Sequence, residues 1–202
     1  MRSRILRGFF VVTGAMFLVA CTSIPITSLY KLYKLDPFDI DPQEFRLIIR
    51  AHEAISVRKG NVTMGLGFKA HDDSLVIDDT YIVDIERNGS LPAEVLDDKG
   101  PNEAFTLLKL SEADARQLTE TQRLLKPYIE KDDSGDGSFA ININNVCLTK
   151  ALPEGKSLLT VYMQSDVEDG FFVFLNNLDM RKKRKDIDGS IDDIPVCADL
   201  DA

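Results

Sequence analysis

Tryptophan is absent from this chain, and histidine occurs only twice, at His52 and His71. Acid–base and metal chemistry at neutral pH leans on imidazole, so such chemistry has few places to start here. Neither histidine lies beside a motif, and both read as surface or strand-end residues. Runs of the form Gly-x-Ser-x-Gly or His-Glu-x-x-His do not occur either. Neighbouring carboxylates such as Asp78-Asp79 point to opposite sides of an extended chain and make poor acid and base partners. A hydrolase is left only as a site whose residues converge in three dimensions. Basic charge is also short: 24 lysines and arginines stand against 33 acids, a formal charge of −9. Nucleic acid and bulk anionic lipid are therefore poor partners for the surface as a whole. Aromatics make up only 8% of the chain, yet a hydrophobic content of 44% excludes a disordered one.

What is present begins at the N-terminus. Arg2, Arg4 and Arg7 precede an apolar run of 12 residues from Phe9 to Ala20, broken only by Thr13 and Gly14. This is the layout of a secretory signal peptide, and it is too short for a membrane-spanning helix, which needs about 20 apolar residues. Its end, Leu18-Val19-Ala20-Cys21, resembles the lipobox of bacterial lipoproteins, a resemblance confined to residues 1–21. It implies diacylglycerol on the Cys21 thiol, cleavage before Cys21 and acylation of the new amino terminus. Each buried CH₂ contributes about 0.8 kcal/mol, so one acyl chain holds reversibly and two or more hold durably. Thr22 in place of an aspartate implies, by analogy with enterobacterial sorting, the outer rather than the inner membrane.

Without the leader the basic count falls from 24 to 21 against 33 acids, a formal charge of −12 on 182 residues. That length suits one domain. Cys147 and Cys197 remain as an even pair in a compartment expected to be oxidising, and they are predicted to form a disulfide closing a 50-residue loop. The alternative is two separate thiols with Cys147 in the core; a zinc site lacks the nearby histidine it needs.

Residues 21–43 read as the lipidated N-terminus and a tether interrupted by Pro25, Pro37 and Pro42, with a single domain from 44 to 202. Within the tether, the apolar and basic stretch Leu29 to Leu35 suits a membrane interface, or packing of Leu29, Leu32 and Tyr33 onto the domain. From Phe45 the pattern has period two. Strands are predicted from Phe45 toward Val57, over Val62 to Phe68, Leu75 to Ile85, Ala104 to Leu110, Phe139 to Cys147, Leu158 to Met163 and Phe171 to Leu175. One helix interrupts them, capped at Ser111, running to about Lys131 and carrying Leu118, Leu124, Leu125, Tyr128 and Ile129 on one face. Strands and helices do not alternate, which excludes a doubly wound parallel sheet. A mainly β chain is expected: an antiparallel β-sandwich with one packed α-helix, or alternatively an α+β single antiparallel sheet covered by the helix.

Three local runs invite functional readings. Asp132, Ser134 and Asp136, followed by Gly137, resemble the first half of a calcium loop, with oxygen ligands at positions 1, 3 and 5. Position 12 is Ile143 rather than a glutamate, so calcium needs a carboxylate from elsewhere; the bland reading is a solvated helix-to-strand turn. Gly65-Leu66-Gly67-Phe68-Lys69-Ala70 has the letters of a dinucleotide fingerprint but sits inside an alternating strand, where a bulge or a close backbone approach is the better reading. Arg181, Lys182, Lys183, Arg184 and Lys185 form a basic run suited to anionic headgroups, or simply a solvated loop neutralising the acidic tail. The function expected from all this is a non-enzymatic envelope lipoprotein on the periplasmic face, serving interaction, assembly or ligand binding with a protein partner. The alternatives are a calcium-dependent module and a cryptic hydrolase.

Overall fold

The computed structural model describes residues 30–31, 35–36, 38, 40–87, 89–131, 134–182 and 191–197. In chain order the elements are β1 (Arg46–His52), β2 (Ile55–Ser56), β3 (Val62–Ala70), β4 (Val76–Ile85), α1 (Ala93–Leu96), β5 (Glu103–Leu110) and α2 (Glu112–Ile129). They continue with β6 (Gly135–Ile143), β7 (Cys147–Leu148), β8 (Leu158–Gln164), β9 (Phe172–Asp179) and a 3₁₀ turn, Ile191–Asp193. Seven strands form one antiparallel sheet in the order β6-β3-β4-β5-β1-β8-β9, curled into a half-barrel, and β2 pairs with β7 beside it. The mainly β, antiparallel architecture with one packed helix is thus as expected, with the sheet bending on itself to make its own core.

Alternation explains the curl's interior. Val62, Met64, Leu66, Phe68 and Ala70 of β3 are buried while the residues between them are not, and Leu47, Ile49, Tyr81, Val83, Leu108, Leu110, Val161 and Met163 join the same cluster. The first strand ends at His52 rather than running on to Val57, because the chain turns at Glu53-Ala54 before β2. Helix α2 starts where the cap signal places it: Ser111 Oγ accepts the Asp114 amide at 3.1 Å. Its buried stripe is Ala115, Leu118, Thr121 and Leu125. Leu124 and Ile129 flank that stripe and are exposed, which corrects the predicted face. The four-residue α1 was not foreseen, since one turn is too short to show a 3.6-residue period; it buries Val95 against Ile48 and Tyr162 on the outside of the sheet.

The core also reaches back into the expected tether. Ile40 is 3% exposed, and Leu35 and Phe38 pack against the main cluster. Leu29, Leu32 and Tyr33 lie outside the described residues. At the other end, Cys147 is bonded to Cys197, closing the predicted 50-residue loop. Leu148 donates its amide to Pro195 O at 2.8 Å and bridges Val196, while Ile191 is buried, so the tail is seated on β7. Such a loop contributes on the order of 4 kcal/mol in the chain-entropy model.

Candidate functional site

A half-barrel has an open side, and here Leu35, Phe38 and Ile40 pack onto its core as a strap. The strap is held at both ends. Lys31 Nζ donates to Asp169 O at 3.1 Å and stands 5.5 Å above the Phe172 ring, at the β8–β9 turn. Further along, Asp36 Oδ1 accepts the Phe38 amide at 2.9 Å and turns the ring inward. Phe38 then meets Phe68 edge-on at 6.0 Å, and Phe68 meets Tyr128 of α2 at 5.8 Å. Gln122 Nε2 donates to Ile40 O at 2.6 Å, tying the strap to the helix. Gly137 is needed at this crossing, because a Cβ there would lie 2.5 Å from the Phe38 ring.

Two cavities flank the strap. One, about 440 Å³, lies between the strap and the β8–β9 turn, with Leu35, Ile40 and Phe172 in its wall beside Tyr30, Lys31 and Asp169. The other, about 450 Å³, lies between the strap and α2, walled by Phe38, Gln122, Arg123, Lys126 and Ile129. Asp36 lines both. The size is that of a small-ligand or side-chain pocket. The first is anionic around one lysine, with Asp41 and Asp166 also present; the second carries Arg123 and Lys126 against Glu130.

A second polar cluster lies on the outside of the sheet beneath the segment around α1. Arg50, 8% exposed, donates through Nη1 to Asp98 O and through Nη2 to Thr160 Oγ1 and Asn177 Oδ1, both at 3.0 Å. Its Nε has no hydrogen bond but sits 3.6 Å from Glu103 Oε2. Tyr162 donates to Asp98 Oδ2 at 3.0 Å, and burial, reinforced by that carboxylate against the pull of Arg50, pushes the phenol up to about 12. Tyr81, inside the barrel, is raised further by burial while it donates to Asp79 Oδ2 at 3.0 Å. Thr121 Oγ1 donates to the same oxygen at 2.7 Å. Both phenols therefore remain protonated donors at neutral pH, and these buried polar groups serve one another.

The motifs singled out in the sequence fall as follows. Cys21 lies outside the described residues, as do Asp132, Lys183, Arg184 and Lys185. Ser134 Oγ donates to Tyr128 O at the end of α2, and Asp136 stands in β6 opposite Lys69, 3.6 Å from His71 Nε2. Among the described residues no group of three His, Cys, Asp or Glu side chains is placed to hold a metal ion. Arg181 Nη2 donates to Pro153 O at 2.9 Å, and Lys182 donates its amide to Asp179 O. His52 Nδ1 accepts the Ala54 amide at 3.1 Å at the end of β1, and His71 follows β3. The glycines of Gly65–Ala70 lie within a regular strand. Sequence reasoning passed over the strap itself and Arg50. Apolar residues at 35, 38 and 40 were the available signal for the first; for Arg50 none existed, since a charged residue in an alternating strand reads as solvent-facing. Comparison with family models, curated proteins and solved structures finds no match to this chain.

Proposed function

We propose that this chain is a lipid-anchored domain of the bacterial cell envelope that works by binding a protein partner and performs no chemistry of its own. The observation that carries the reading is the strap. The chain is already seated in the fold at Lys31, ten residues after Cys21, and an extended chain advances at most about 3.6 Å per residue. Acylation at Cys21 would therefore hold the strap and its two cavities within roughly 35 Å of the bilayer. The anchor in this reading comes from the lipobox resemblance; the strap adds proximity, because the chain enters the fold beside the two cavities. The engagement of Arg50, Tyr81 and Tyr162 in structural hydrogen bonds supports a binding role over a catalytic one.

Processing tests it directly. Inhibiting lipoprotein signal peptidase is expected to accumulate a precursor longer by the leader, and Cys21→Ala to move the chain out of the membrane fraction. Unchanged processing together with an unchanged membrane location would overturn the anchor. A photo-crosslinker at Tyr30, which is 61% exposed at the mouth of the first cavity, is expected to capture an envelope protein.

A further inference from the structure

We propose that two copies of this chain pair through β6, edge to edge, antiparallel and about a two-fold axis at Ala140. The proposal goes beyond the anchored binding role and stands whether or not the chain is lipidated. The sheet has two edges, and they are built differently. At β9 the ladder with β8 shifts register twice, between Leu159 and Val161 and between Val161 and Tyr162, and Asn177 adopts φ 47°. Irregular edges of that kind do not template another strand. The β3–β6 ladder runs instead through nine consecutive pairs, from Val62 with Ile143 to Ala70 with Gly135, without a shift. Among the described residues β6 has no strand partner on its outer side.

Among the described residues the outer face of β6 carries only short side chains. The outward residues of β6 are Asp136 at its start, then Ser138, Ala140 and Asn142, all exposed, and beside the last three on β3 stand Gly67, Gly65 and Thr63. From Gly137 to Thr149 thirteen residues carry no charge, in a chain that is 28% charged. The lysines, prolines and inward charges that usually blunt an edge are missing here. On the inner side Phe139, Ile141 and Ile143 are only partly buried although they pack against the core.

The choice of a second copy rests on self-complementarity. In a two-fold pairing about Ala140, residue i lies opposite residue 280 − i of the second copy. Phe139 then meets Ile141, Ser138 meets Asn142 and Gly137 meets Ile143, so the half-buried apolar residues of both copies extend one another's core. Asp136 meets Asn144. The acidic end of each strand therefore lies beside the Asn144-Asn145 end of the other, whereas a parallel arrangement would set Asp136 against itself. For a chain of formal charge −9, the uncharged stretch from Gly137 to Ile143 keeps acids out of the centre of the seam as a like-charged copy approaches.

Cysteine substitution in the full chain in its membrane tests the register. Residue 140 lies on the axis, roughly 5 Å from its counterpart, whereas two copies of residue 142 are about 13 Å apart along the strand, too far for a disulfide. Ala140→Cys is expected to give a band of twice the mass on a non-reducing gel that disappears on reduction; Asn142→Cys is expected to give none, and Ser138→Cys with Asn142→Cys to restore it. A monomer for Ala140→Cys, equal dimer for 140 and 142, or an adduct of another mass, which would mean a different protein on this edge, each overturns the proposal. Sedimentation of the detergent-extracted chain guards against misfolding: wild type is expected at dimer mass and Ala140→Lys at monomer mass with the same melting temperature. A monomeric wild type overturns the pairing irrespective of the variants.

Discussion

The two ends of the sheet hold together by different means. At the β1–β8–β9 end a buried guanidinium, Arg50, reaches Asp98, Thr160 and Asn177, so that one charged side chain organises a loop and two strands. At the β6 end no such hub is found among the described residues. Steric fit and aromatic contact take its place, with Phe38 seated over Gly137 and in edge contact with Phe68, which in turn meets Tyr128. A polar hub specifies its partners one by one and leaves each of them unsatisfied if it goes. Apolar fit leaves β6 regular, and uncharged from Gly137 to Ile143.

Arg50→Ala attacks the first end and carries the largest expected effect. It strands the Asp98 carbonyl and leaves Glu103 without its cation, which for a broken buried pair amounts to a loss of about 3 kcal/mol in urea unfolding. At the second end, Gly137→Ala is expected to cost about 2 kcal/mol, because the added methyl overlaps the Phe38 ring in a packed site. Its control is Gly65→Ala one strand away, where a Cβ meets only Ala140 atoms at 3.9 Å and beyond. There alanine is expected to stabilise by about 0.5 kcal/mol, since the strand no longer carries glycine's entropy. Equal effects at the two glycines would show that the strap does not seat as described. The smallest loss is Tyr162→Phe, about 1 kcal/mol at neutral pH for one missing hydrogen bond.

Tyr162 also makes the first end sensitive to alkali. Its folded pKa, about 12, lies above the ordinary tyrosine value near 10, so the unfolded chain loses that proton first. The contribution is fully present below pH 10 and is lost as pH rises from there toward 12. Stability curves of wild type and Tyr162→Phe are expected to converge over that window, and parallel curves would remove Tyr162 as the cause.

How far the sequence carried the fold follows from how local each signal is. The strand β3 was legible because Val62, Met64, Leu66 and Phe68 alternate without interruption, and the cap at Ser111 because its partner amide is three residues away. The face of α2 was legible only in part: Leu124 and Ile129 fit an apolar stripe by letter, but the barrel accepts Ala115 and Thr121 instead, since Thr121 has Asp79 to bond. Of the candidate site, Phe38 and Ile40 looked like residues of a proline-broken tether. What buries them is the open side of a sheet formed by residues later in the chain, which no local pattern describes.

By itself the sequence determined the period-two strands, the single long helix and its cap, and the even cysteine pair, because each depends on neighbours within a few residues or on simple counting. Tertiary structure alone decided that the seven strands curl into one half-barrel, that the tether becomes its strap, that Arg50 points under α1 rather than into water, and that β6 is left as the regular edge. Those outcomes depend on which strands become neighbours across long sequence separations, and that choice is made by the packing of the whole core.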